Sequence, residues 1–222
     1  MTTTKNIFQR LQGLEDEIQK LNNTVFALKA TDIKAYGENY EELSVHAALR
    51  AERIACQLRN LVFLTERPGK SAYMRQAAKA HNLKIEDTEG ILSITLPGLL
   101  PKRRLHTNTA FLCEPLNFAL QDHLKNHSLP LYQSCVICFS QVYDETFPMR
   151  RIRDYDNLEF KQVLDVISSY VLSDDTGLLC DTYHTTEIGE HDLTVVYIMD
   201  KAVFPDWVKS RKNSIKIISE IL

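Results

Sequence analysis

Seven apolar residues, Ile7, Leu11, Leu14, Ile18, Leu21, Val25 and Leu28, recur at alternating steps of four and three. Only a helix keeps residues at that spacing on one side, so the chain opens with a long helix packed along a single seam. Gly37 and Asn39 interrupt the pattern. A second long helix is expected from about Tyr40 to Glu66, with Ala47, Ala51, Ile54, Leu58 and Leu61 on one face. The alanines allow the first helix to approach closely. Pro68-Gly69 closes that helix, and Ser71 can cap a short third one through Ala80. The expectation is an antiparallel helical hairpin over residues 1–88, with its own core and a surface for a protein partner.

The grammar changes at Gly90. Ile91 to Pro97 reads as a strand stopped by proline, and Lys102-Arg103-Arg104 opens a basic loop. Leu116, Ala119, Leu120 and Leu124 form a helical stripe, whereas Tyr132 to Tyr143 is rich in the Val, Ile, Cys and Phe of a strand. Phe160, Val163, Leu164, Ile167 and Val171 mark the strongest helix of this half. Leu178–Thr186 and Leu193–Met199 read as two further strands. Strands and helices in this order make residues 89–222 a mixed α/β layered domain, and the chain as a whole α+β.

Composition narrows the function. The formal charge is −3, and residues 91–222 hold 13 basic against 17 acidic side chains. Bulk electrostatics therefore does not coat this protein onto nucleic acid, and any such contact comes from local patches. No apolar run is long enough to span a bilayer, and the first residues lack the apolar stretch of a signal peptide. A cytoplasmic protein without a membrane contact is expected. Five cysteines at irregular spacing do not suggest a disulfide framework. Cys135 and Cys138 have the spacing of a redox or zinc pair, but on a strand their side chains point to opposite faces. They read as buried thiols.

The chemistry concentrates in RIRDYDNLEFK, residues 151–161. If 152–156 is extended, Asp154 and Asp156 point the same way. Asn157, or Asp156 itself, can cap the helix that follows. Capping accounts for one of these groups but leaves two adjacent carboxylates, which repel unless a cation lies between them. One helix later, Ser173-Asp174-Asp175-Thr176-Gly177 supplies a second acidic pair. Three or four aspartate oxygens in one pocket suit Mg²⁺, which activates water and steadies charge on a phosphodiester. Lys161 adds positive charge, and Arg150, Arg151, Arg153 and the 102–104 loop offer contacts to a phosphate backbone. Two rival motifs fail. An EF-hand beginning at Asp154 would place Leu158 and Glu159 where a ligand and glycine are required. Asp175-Thr176-Gly177 matches an aspartic-protease tripeptide, but no second copy exists in the chain.

The run RDYDNLEFKQVLDVISSYVLSDD, from Arg153 to Asp175, resembles RusA-type Holliday junction resolvases. SITLP at 93–97 is similar to that family's first strand, and the resemblance spans roughly residues 91–200. It implies a homodimeric, Mg²⁺-dependent endonuclease acting on branched DNA in recombination and repair. By position it makes Asp154, Asp156 and Asp175 the metal carboxylates, with Asp174 beside them. It makes Lys161 the motif's lysine, and Asn157 and the arginines DNA contacts. The chain also resembles proteins carried on bacterial mobile elements. Three departures stand out. Phe160 is extra, so Lys161 comes one residue late, a rotation of about 100° on a helix. The half that carries the motif is acidic. The first ninety or so residues have no counterpart in the short resolvases. The alternative implied is a resolvase-fold adaptor without catalysis, working through its helical hairpin.

Overall fold

The computed structural model describes residues 2–64, 70–101, 103, 109–147 and 152–214. It forms two compact units, 1–70 and 71–222. The first is a helical hairpin, α1 (Thr2–Ala30) and α2 (Gly37–Leu64). Asp32 turns the chain between them, its carboxylate accepting the Lys34 N–H at 2.8 Å. Leu14 and Ile54 are buried, and Glu17 meets Arg50 across the helices at 3.0 Å. Only part of the heptad stripe is used. Leu14, Leu21 and Leu28 are covered to differing degrees, while Leu11, Ile18 and Val25 stay exposed, as do Phe8 and Phe26. A single partner helix covers one row of such a stripe and leaves the adjacent row to solvent.

The second unit carries α3 (Lys70–Ala80), β1 (Lys84–Thr88), β2 (Ile91–Leu96), α4 (Ala110–Asn126) and β3 (Cys135–Asp144). After a 3-10 turn at Tyr155–Asn157 come α5 (Lys161–Val171), β4 (Cys180–Gly189), β5 (Leu193–Asp200) and α6 (Phe204–Ser214). The expected α+β organisation is present, but the units divide near residue 70 rather than at 88. Arg75 of α3 pairs with Asp122 of α4 at 3.4 Å, and β1 pairs with β2. Strand β1 is hard to foresee because Lys84-Ile-Glu-Asp-Thr88 has one apolar residue. Its hairpin turn holds it in place: Glu89 and Gly90 both have positive φ, the conformation that matches strand twist.

The five-stranded sheet has the order β1-β2-β5-β3-β4. Every neighbouring pair is antiparallel except β3 and β4. Parallel neighbours need a crossover, and α5 is that crossover. Leu112, Leu116 and Leu120 of α4 and Val163, Ile167 and Val171 of α5 bury one face of the sheet. They pack with Leu92, Ile94, Ile137, Phe139, Val196 and Ile198. On the other face α6 rests on Tyr183 and Tyr197 through Phe204 and Trp207, with ring centroids 5.1 Å apart in each pair. Being covered on both faces, β3 is buried nearly throughout, which explains its unbroken apolar run. No helix among the described residues is long and apolar enough to cross a membrane.

Candidate functional site

The acidic motif follows the C-terminal end of β3, held against the base of the basic loop by backbone bonds. The Arg103 N–H donates to the Asn157 carbonyl at 2.7 Å, and the Glu159 N–H donates to the Pro101 carbonyl at 2.9 Å. Arg153 fixes the other side. Its N–H donates to the Tyr143 hydroxyl at 3.1 Å, and its guanidinium donates to the Leu100 carbonyl at 3.4 Å. Leu100 is itself tied to β3, its N–H donating to the buried Gln141 side chain at 3.3 Å. Backbone bonding thus sets residue 103 beside Asn157, with Arg103, Asp154, Asp156 and Asn157 exposed and Arg153 half-buried at this surface. Lys102, Arg104, Arg150 and Arg151 lie outside the described residues.

Beneath this surface Tyr155 stacks on His184 at 5.3 Å, and its hydroxyl lies 2.8 Å from that of Thr186. Phe160 and Phe139 complete the aromatic group around His184 at 4.7 and 5.7 Å. Burial among these rings disfavours the charged imidazole and lowers the His184 pKa. Tyr155→Phe removes one hydroxyl pair while keeping the ring. It is expected to cost about 1 kcal/mol in denaturant unfolding, and an unchanged midpoint would show that water replaces the bond.

The local geometry differs from the extended segment expected. Asp154 is extended, but Asp156 lies in the 3-10 turn, so strand alternation does not align the two carboxylates. Neither Asn157 nor Asp156 caps α5, because the helix begins later. Phe160 occupies the cap position, and the buried Glu159 accepts the Gln162 N–H at 3.4 Å. The extra phenylalanine thus closes the aromatic group and makes Lys161 the first helical residue. Lys161 is exposed and pairs with Asp165 one turn later at 3.1 Å.

Asp174 and Asp175 lie at the far end of α5, in the loop before β4. That helix has 11 residues, so the two acidic pairs are separated along its axis by about 16 Å. The convergence of Asp154, Asp156 and Asp175 within one chain is therefore not found. Asp174 accepts the Thr176 N–H at 3.2 Å and shapes its own loop. Among the described residues no group of three potential ligands is close enough to share an ion. Asp154, Asp156 and Asp175 are exposed, and among the described residues their carboxylates have no hydrogen-bond partner. As hard oxygen ligands they suit Mg²⁺, but each end of α5 supplies only a pair.

Cys135 and Cys138 diverge as expected. Cys135 joins the core beneath α5, while Cys138 lies near Arg211 and Tyr197, burial pushing its thiol up to about 12. Two other groupings come from tertiary structure. Arg211 of α6 pairs with Glu187 of β4 and lies over Tyr197 and Trp207 at 4.8 and 4.5 Å. Cys180 stands opposite Cys135 in the sheet. His123 and His127, four residues apart, stack at 4.4 Å at the end of α4. They line a cleft of about 230 Å³ with Arg75 and Lys79. Lys79 lies in the last turn of α3, where a cation complements the negative end of the helix.

A model described as a family of unknown function, DUF6100, matches residues 3–222. No curated protein matches the chain.

Proposed function

We propose a function for this chain, which belongs to the DUF6100 family: a Mg²⁺-dependent endonuclease for branched DNA, assembled from two copies. The clasp between residues 101–103 and 157–159 carries this reading. It ties the backbone of exposed Arg103 to the turn that carries Asp154 and Asp156, with half-buried Arg153 next in the chain, which supports phosphate contacts beside a cation site. The acidic pairs at opposite ends of α5 account for the second copy. Strand β4 is an edge of the sheet, with a ladder on its β3 side alone among the described residues. A two-fold axis beside β4 sets the partner strand antiparallel and turns the partner's α5 end for end on the same face. The partner's Asp174 and Asp175 then approach Asp154 and Asp156. Four carboxylates brought together repel until a cation joins them, so pairing of the copies should tighten with Mg²⁺. The ion, when bound, supplies an activated water and steadies charge on the phosphodiester. Arg103 and Arg153 hold the backbone.

A mixing experiment on a labelled four-way junction tests this. Asp156→Asn and Asp175→Asn should each lose more than about a hundredfold in cleavage, the scale for one charge-stabilising group. After subunit exchange an equimolar mixture should recover nicking at about a quarter of the wild-type sites, because half the dimers keep one intact site. A mixture as inactive as its parts would overturn the two-copy arrangement. A wild-type protein that does not cleave with Mg²⁺ would overturn the enzyme itself. Sedimentation with and without Mg²⁺ reads the pairing independently of cleavage.

The second reading is an adaptor that binds branched DNA without cutting it. The Lys161–Asp165 ion pair favours it, because that contact engages the one helical cation the motif offers. Junction binding without cleavage in the same assay would decide for it.

A further inference from the structure

Cys135 and Cys180 are direct partners in the parallel ladder of β3 and β4, and both side chains face the core beneath α5. Neighbouring strands lie about 4.8 Å apart, within the Cα separation of about 4.4–6.8 Å that a disulfide spans. The two thiols lie near enough for each to shift the other's ionisation. Closing an S–S bond between them, which brings the Cβ atoms to about 3.8 Å, requires side-chain rotation and a small local closing of the two strand ends. Cys135 and Cys138, which have the more suggestive spacing in sequence, lie on opposite faces and cannot be joined this way.

We propose that Cys135 and Cys180 are a reversible oxidation site, closed by exchange with a small-molecule disulfide. One protein thiolate attacks a sulfur of the reagent, whose S–S bond breaks and releases one thiol that takes up a proton. The second protein thiolate attacks the protein-side sulfur of the mixed disulfide and releases the other thiol. Two cysteines are oxidised and one small disulfide is reduced to two thiols. Access comes from the start of β4. This strand is at the sheet's edge, and the loop before it is exposed from Ser173 to Leu178. The Cys180 N–H holds the turn by donating to the Thr176 carbonyl at 2.9 Å, and the Cys135 N–H donates to the Leu179 carbonyl at 2.8 Å. Opening these terminal bonds leaves the rest of the ladder intact. Once formed, the bond ties the end of the acidic loop to β3.

The test uses the full folded chain, incubated with oxidised glutathione, acid-quenched, alkylated and mapped by non-reducing peptide mass spectrometry. The expected product is a peptide pair linked through Cys135 and Cys180, two hydrogens lighter than the reduced pair and reopened by dithiothreitol. Cys56, exposed on α2, should carry only a mixed disulfide. The link should persist in Cys56→Ala and vanish in Cys180→Ala, and the wild-type thermal midpoint should rise on oxidation. Recovery of Cys135 and Cys180 as free thiols while Cys56 is fully modified would overturn the proposal. So would links that join either residue to Cys56, Cys113 or Cys138 instead.

Discussion

Truncating Phe139 to alanine is expected to destabilise the second unit by about 3–5 kcal/mol, the range for deleting a buried aromatic ring. Phe139 is fully buried on β3 and is part of the core cluster beneath α5. Its ring meets those of Phe160 and His184, at 5.8 and 5.7 Å. Removing it leaves a cavity under the start of α5, where the acidic turn is held, and neighbouring side chains can refill it only in part. Chemical denaturation of the full chain measures the effect, provided the transition of the second unit is resolved. Phe139→Leu, which keeps most of the volume, should cost less than half as much. Equal losses would show that the ring's shape, rather than its bulk, is what the site requires.

Arg211→Ala is expected to cost about 2–3 kcal/mol, between the values for exposed and fully buried pairs. The guanidinium pairs with Glu187, donates to the Ser140 hydroxyl at 3.2 Å and lies over the rings of Tyr197 and Trp207. Its side chain is 17% exposed and that of Glu187 31%, so alanine strands a carboxylate that water only partly reaches. Burial also lowers the Arg211 pKa, the sign of a cation held away from water. Glu187→Gln keeps the hydrogen bonds and should lose only about 1 kcal/mol. If both variants match wild type, α6 is anchored by Trp207 and Phe204 alone.

Local pattern carried far along this chain. The period of α5, with Val163, Ile167 and Val171 buried on one side, is plain in the sequence, as is the burial of β3. The patterns fail where an element owes its place to distant partners. Strand β1 is polar and exists through its hairpin with β2, and α6 is mostly polar and meets the sheet through Phe204 and Trp207. Phe160 shows how a single insertion is absorbed. In sequence it only displaces Lys161, whereas in the fold it fills the gap beside His184 and takes the N-cap position of α5.

The amino-acid sequence by itself determined the kind and order of the strongly patterned elements and the chemical character of the acidic turn, because these depend on neighbours a few residues apart. It placed Arg153, Asp154, Asp156 and Asn157 together for the same reason. Tertiary structure decided which of the remaining groups meet. A parallel crossover carries the chain from the end of β3 to the start of β4, so α5 must separate Asp154 and Asp156 from Asp174 and Asp175. The same register sets Cys135 against Cys180 across a separation of 45 residues, and no local period encodes that distance.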